Sequence, residues 1–249
     1  MSSTRLLQAT GLVKSYPSQT QPAVDHIDLQ LMRGDLLGLL GPNGAGKTTT
    51  ISMLATMLRP DSGTIEIAGI DALRKPQAVR AKIGVVPQDL ALYQSLTLRE
   101  NLIFWGQLYG LHGAALTQRI RECIHLVGLD DQLDSCINVF SGGMKRRANL
   151  AAGIIHRPEL LFLDEPTVGI DPQSRHSIIE NLRELNCQGM TMIYSSHYME
   201  EVELLCSKVM IIDAGKAVVA GDSSQLLHRC NCDNLEQLFL HLTGKKLRD

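Results

Sequence analysis

Three glycines, a lysine and a threonine stand together in Gly41-Pro42-Asn43-Gly44-Ala45-Gly46-Lys47-Thr48. Every fixed position of the phosphate-binding pattern G-x-x-x-x-G-K-[ST] is met. A loop that wraps phosphate must curl tightly and turn successive backbone N–H groups toward the anion. Glycine allows this because no Cβ stands in the way. A helix opening at the end of the loop adds unpaired N–H groups and the positive end of its dipole. Lys47 would reach the terminal phosphates, the hydroxyl of Thr48 would hold Mg²⁺, and Thr49 completes the candidate set. The flanking pattern supplies the frame. Leu36–Leu40 is an apolar run of strand length, and 49–58 reads as the helix that follows.

A phosphate loop does not by itself choose among kinase, GTPase, ATPase and helicase. Leu160-Leu161-Phe162-Leu163-Asp164-Glu165 narrows the choice, because four apolar residues and then two acids form a Walker B pattern. A wholly apolar strand belongs inside a parallel sheet, whose C-terminal edge is where ligands bind. Adjacent side chains of a strand point opposite ways, so the two acids can serve two tasks. Asp164 would sit beside Mg²⁺, and Glu165 would take a proton from an attacking water. Ser141-Gly142-Gly143-Met144-Lys145-Arg146-Arg147 reads as a serine N-cap, two glycines and a helix running through 148–155. That is a second helix N-terminus open to an anion.

These residues, taken together, resemble the ATP-binding-cassette (ABC) ATPases, and Ser141–Gly143 resemble that family's LSGGQ signature, with Phe140 in place of Leu and Met144 in place of Gln. The resemblance implies two subunits packed head to tail, each ATP lying between the phosphate loop of one and the signature of the other. It implies that Ser141, Gly142 and Gly143 meet the nucleotide of the partner chain. Tyr16 resembles the aromatic that stacks on adenine. Gln88 resembles the Q-loop glutamine that meets Mg²⁺ and the reacting water. Val168-Gly169-Ile170-Asp171 resembles the D-loop, and Asp171 before Pro172 also reads as an N-cap with proline at the first helical position. His197, ahead of Glu200-Glu201, resembles the H-loop histidine that contacts the γ-phosphate. Residues 140–155 and 234–245 resemble the ATP-binding subunits of bacterial drug- and lipid-type exporters, the daunorubicin-resistance group. The implied function is hydrolysis of MgATP in a homodimer or pseudo-dimer that powers export through a separate integral membrane permease. A non-transport ABC ATPase acting on DNA or the ribosome is the alternative. A small-molecule kinase would have no use for Ser141–Gly143 and His197.

The chain has 249 residues, 44% hydrophobic and 20% charged, which suits a globular core. Its net charge of -2 gives no reason to expect nucleic acid as partner. No run approaches the roughly 18 apolar residues needed to span a bilayer, so any membrane role falls to another subunit. Six scattered cysteines, with no apolar leader in residues 1–10, read as reduced thiols of a cytosolic chain. The expected location is cytoplasmic, against the inner face of the membrane through the permease. Cys230-Asn231-Cys232 has the wrong spacing for the common zinc patterns, and no structural zinc is expected.

The elements that must position these residues are legible in outline. Residues 5–32 read as antiparallel strands; 64–67, Ile83–Val86, 160–163, 191–195 and 209–212 also read as strands. Thr97-Leu98-Arg99-Glu100 is a capping box opening a helix, a second helix covers about 114–127, and 213–216 turns into a strand at 217–220. A last amphipathic helix runs over 234–242 before the basic tail of Lys245, Lys246 and Arg248. The expected fold is α/β: a P-loop NTPase core with a RecA-like parallel sheet, an N-terminal antiparallel β subdomain and a helical insert. Within the one ABC domain of 1–249, residues 1–88 and 157–221 make the core, 89–156 the helical subdomain, and 222–249 a C-terminal helix and tail. By the same resemblance, residues 90–93, Leu90 and Tyr93 among them, and part of the helix carrying Phe104, Trp105 and Tyr109 are expected to line the groove beside Gln88 that receives the membrane partner.

Overall fold

The computed structural model describes residues 4–17 and 20–244, so the basic tail lies outside the described residues. The chain opens with β1 (Arg5–Lys14), β2 (Val24–Met32), β3 (Leu36–Leu40), α1 (Lys47–Leu54), β4 (Ser62–Ile67), β5 (Ile70–Asp71), α2 (Pro76–Arg80) and β6 (Ile83–Val86). A helical block follows, built from α3 (Leu98–Leu108), α4 (Gly113–Leu126) and α5 (Gly142–Ile154). The chain then returns to mixed structure with β7 (Leu160–Asp164), α6 (Pro172–Cys187), β8 (Thr191–Ser196), α7 (Met199–Leu205), β9 (Lys208–Asp213) and β10 (Lys216–Asp222). It closes with α8 (Ser223–Cys230) and α9 (Leu235–Thr243).

Two sheets result. One is antiparallel, in the order β2-β1-β4-β5. The other has the order β10-β9-β3-β8-β7-β6, parallel throughout except for the hairpin strand β10. This is the expected α/β nucleotide-binding architecture with its antiparallel part and helical insert. The central strands β3, β7 and β8 are buried at every position because both faces of the sheet are covered there. On β3, Leu36 and Leu40 join the core beneath the helical block, while Leu37 and Leu39 join the core shared with the antiparallel sheet and α1. On β7 the same alternation sends Leu161 and Leu163 one way and Leu160 and Phe162 the other. A slip of one residue would exchange these faces, so packing fixes the register.

That register places the chemistry. Leu40 at the end of β3 pairs with Ser196, and Asp164 at the end of β7 pairs with Ser195. The loops beginning at Gly41, Glu165 and His197 therefore leave the sheet side by side at its C-terminal edge. The helical block is not a separate body: Leu98, Leu102, Ile120 and Ala148 belong to the same continuous core as Leu161, Leu163 and Val86.

Local signals account for several boundaries. Thr97 and Glu100 form the expected capping box, and Ser141, Asp171 and Asn234 each accept a backbone N–H at the start of their helices. Gly244 ends α9 in the left-handed region. The helix expected at 49–58 is shifted, running Lys47–Leu54. Thr56 turns left-handed at φ 59°, and the N–H groups of Met57 and Leu58 both bond the Ser52 carbonyl, which stops the helix. The short helices α2 and α8 had no expectation in the sequence.

α5 approaches β6 closely at Gly84. A Cβ there would lie 2.3 Å from the Gly153 carbonyl oxygen and 2.9 Å from Leu161 Cδ1. Gly84→Ala should therefore push the signature helix off the sheet and cost about 1–3 kcal/mol, read as a lower urea midpoint at unchanged m-value.

Candidate functional site

A cleft of about 480 Å³ opens at the C-terminal edge of the parallel strands, lined by Tyr16, Asn43, Gly44, Gly46, Lys47, Thr48, Thr49, Gln88, Glu165 and His197 together with Ala23 and Val168. Gly41, Pro42 and Ala45 form the loop around it. The N–H of Ala45 donates to the Pro42 carbonyl at 3.1 Å, and a Cβ on Gly41 would sit 2.3 Å from the Ile212 carbonyl oxygen. Gly46 has φ 107°, open to glycine alone, and its missing Cβ would strike the Ala23 carbonyl at 2.3 Å. No side chain caps α1. Its first N–H groups are left for an anion. Lys47 Nζ meanwhile donates to the carbonyls of Gly41 at 2.8 Å and Pro42 at 3.3 Å, folded back over its own loop.

Glu165 is buried at the floor of the cleft. Its Oε1 lies 3.5 Å from Lys47 Nζ and its Oε2 lies 3.3 Å from His197 Nδ1. The His197 nitrogen has no aligned hydrogen-bond partner, although it is buried. The Glu165 backbone is left-handed, φ 48°, and its N–H donates to Ser195 at both the carbonyl (3.2 Å) and Oγ (3.1 Å). Asp164 points the other way, as neighbours on a strand do, and accepts from Ser195 Oγ at 2.6 Å. It is buried and does not line the cleft. Thr48 is exposed, with no hydrogen bond from its hydroxyl to another described residue. Oxygen donors suited to a hard cation are thus present in Thr48 and Gln88, with Asp164 one layer behind.

Ser141, Gly142, Gly143 and Asp171 are not in this cleft. Ser141 Oγ accepts from the Met144 N–H at 3.2 Å, and Ser141 and Gly142 are exposed. Gly143 is buried against the start of α6, where a Cβ would lie 2.0 Å from Ser174 Oγ. Asp171 holds Ser174 by its N–H at 2.9 Å and its Oγ at 2.6 Å, and these bonds keep its carboxyl below the usual range. The candidate site residues therefore fall into two groups on one chain.

Arg146 ties the groups together, and motif reading did not single it out. Its guanidinium donates to the Gln88 carbonyl and, at 3.1 Å, to the Val168 carbonyl. It thereby joins the helix behind Ser141 to both loops that flank Glu165. Ser195 was missed as well. A basic run after two glycines and a serine at the end of a strand carry no signal of these contacts, which exist only once the sheet has formed.

A second concavity, about 260 Å³ and mainly apolar, lies between the insert and the core; Met57, Arg80, Pro87, Trp105, Tyr109 and His156 are among its walls. Ala91, Trp105 and Tyr109 meet the expectation for this groove. Leu90, Tyr93 and Phe104 are not in its lining. Tyr93 and Phe104 instead form an exposed edge-to-face pair at 5.1 Å that runs on to Trp105 at 5.3 Å. Trp105 is held in place by donating its Nε1–H to Ala91 at 3.0 Å. His156 stacks on Tyr109 at 3.7 Å and donates Nε2–H to the Ile83 carbonyl at 2.8 Å. Burial lowers its pKa from the ordinary 6.5, and the bond to Ile83 only partly opposes this. The unfolded chain then binds the proton more readily. His156 costs no stability above pH 6.5 and destabilises the fold as pH falls below that value. Thermal unfolding followed from neutral to mildly acidic pH should show a shallower fall in Tm for His156→Gln than for the wild type.

Comparison with known proteins agrees with this geometry. A family model described as ABC transporter matches residues 24–168. The linearmycin resistance ATP-binding protein LnrL of Bacillus subtilis is 48% identical over 233 residues, covering 94% of this chain and 74% of that protein. The daunorubicin/doxorubicin resistance ATP-binding protein DrrA of Streptomyces peucetius is 41% identical, covering 96% and 71%. A solved ATP-binding subunit of an ABC transporter superposes with a TM-score of 0.86 at 28% identity, covering 96% of this chain and 99% of its own. The family model spans more than half of the chain and these relatives are well above 30% identical, so the chain belongs to the ABC transporter family.

Proposed function

We propose that this chain is the ATPase subunit of a membrane exporter for a drug-like or lipid-like substrate, acting as a head-to-tail pair and coupled to a separate permease. The observation that carries the reading is the division of the site. Adenine, phosphate and water partners share one cleft, while Ser141–Gly143 lie outside it on the same chain. The relatives named for drug resistance support the cargo class. Among the described residues no helix is long and apolar enough to cross a membrane, which agrees with a separate spanning partner.

ATP is the substrate. Tyr16 stacks on its base, and the loop 41–49 with the uncapped N-terminus of α1 holds its phosphates. Lys47 leaves the Gly41 and Pro42 carbonyls for the terminal phosphates. Thr48 and Gln88 would hold Mg²⁺, with Asp164 behind them, and the ion would neutralise phosphate charge. Glu165 accepts the proton of the attacking water, and His197 beside it meets the γ-phosphate. Ser141 and Gly143 of a second copy close over the nucleotide, so that closure, not substrate binding alone, completes the site. The work then follows from a differential affinity of ATP for the closed pair.

The apolar groove and the Tyr93–Phe104–Trp105 aromatics next to it receive the permease. Met57 and Tyr93 are strongly exposed large side chains there, at 58% and 50%. Met57→Asp or Tyr93→Asp should release the chain from its membrane partner in co-purification while leaving ATP binding intact; full retention would remove this surface from the interface.

Replacing Glu165 by glutamine keeps size and removes the base. Phosphate release should fall by about 10²–10⁴-fold, with ATP binding retained and a dimer trapped on a sizing column. A fully active Glu165→Gln chain would take the base role from Glu165.

A further inference from the structure

We propose that Glu201 is a positioning residue for hydrolysis: a buried carboxylate, away from the nucleotide cleft, that locks the loop carrying Glu165 to the loop carrying His197. The inference rests on the hydrolytic reading above. Glu201 lies on α7 and is 4% exposed. It accepts from Thr167 Oγ1 with both oxygens at 2.9 Å, from the Tyr194 hydroxyl at 2.6 Å and from Ser196 Oγ at 2.8 Å. Arg175 Nε stands 3.3 Å away. Every partner is a donor, which is the environment a carboxylate needs when it is taken out of water. Burial and the Glu201 charge hold the Tyr194 phenol well above its usual pKa, so it stays a donor.

The partners come from different segments, and each is one step from the reacting groups. Thr167 is two residues beyond Glu165. Ser196 immediately precedes His197, and its Oγ also accepts the Tyr198 N–H at 2.9 Å, closing the turn that presents the imidazole. Tyr198 packs on His197 with ring centroids 4.1 Å apart, and the Arg175 guanidinium lies 4.5 Å over the Tyr198 ring. Arg175 is on α6, one turn after Asp171. A single carboxylate therefore gathers the segment behind Glu165, the segment behind His197 and the helix behind Asp171. The 3.3 Å separation of Glu165 and His197 is set between two of those segments. Among the described residues neither side chain has another shared anchor of this kind; Ser195 holds Asp164 and the Glu165 backbone but not the turn at His197.

A carboxylate that serves the fold alone would lower stability and ATP affinity when changed, and would act independently of His197. A positioning carboxylate lowers kcat through the groups it holds, because an error of about 1 Å in such a site costs as much as 10²-fold. The test measures phosphate release, ATP affinity and Tm for full-length wild type, Glu201→Gln, His197→Ala and the double variant. The expected result is a kcat for Glu201→Gln lower by about 10-fold to 10²-fold with ATP affinity within twofold of wild type. In the His197→Ala background, Glu201→Gln should cost little more, since the loss is already taken. Wild-type kcat in Glu201→Gln, or losses that multiply in the double variant, would overturn the proposal. If Glu201→Gln does not fold, Ser196→Ala and Thr167→Val each remove one link. Lower kcat at unchanged ATP affinity in these variants supports it, and unchanged kcat in both overturns it. A wild-type chain that releases no phosphate would instead sink the hydrolytic reading.

Discussion

The carboxylate of Glu165 stands between Lys47 Nζ at 3.5 Å and His197 Nδ1 at 3.3 Å, and the rest of the structure serves that arrangement. Glu165 and His197 directly follow the adjacent strands β7 and β8, and Lys47 opens α1 after the loop that leaves β3 on the other side of β8. Their spacing is inherited from a hydrogen-bonded register, which is fixed in turn by leucines and other apolar residues packed alternately on two faces. The central strands β3, β7 and β8 have no solvated face, so they cannot slip without exposing one core and crowding the other. A reacting constellation placed on such a frame is more rigid than one built on loops alone.

Rigidity has a local cost. Glu165 adopts a left-handed backbone that a side chain of its kind rarely takes, worth on the order of 1–2 kcal/mol. Two bonds from its N–H to Ser195 offset that cost, and they turn the side chain toward Lys47 and His197 while Asp164 faces inward. Asp164 faces inward and Glu165 lines the cleft. Arg146 extends the same logic between subdomains. It anchors the carbonyls of Gln88 and Val168, two residues of the cleft lining, from the helix that starts at Ser141.

The parts of this design that rest on local rules were legible in the residue order. Leu36–Leu40, Ile83–Val86 and the run ending at Asp164 announce buried strands by composition. Thr97, Ser141 and Asp171 announce helix starts by side-chain capping. The phosphate loop announces itself by glycines whose backbone no other residue can copy. What was not legible depends on tertiary contact. The helix after the loop stops early because Thr56 is drawn left-handed and Ser52 takes two N–H groups. Tyr93 and Phe104 were expected in the groove from the family resemblance but pack on each other outside its lining. Arg146, Ser195 and Glu201 read as ordinary polar positions, since their partners lie at sequence separations of 5 to 58 residues and meet only in the fold.

On the proposed reading, one copy of this chain holds only part of each hydrolytic site. Mixing two disabled chains tests it most directly. One carries Lys47→Ala with an intact signature, and the other carries Ser141→Arg with an intact phosphate loop. Each alone should release no phosphate from ATP. Mixed, they should regain activity, because a heterodimer unites the sound phosphate loop of one with the sound signature of the other. Full activity of the Ser141→Arg chain by itself, or a mixture as silent as its parts while heterodimers form, would contradict the account.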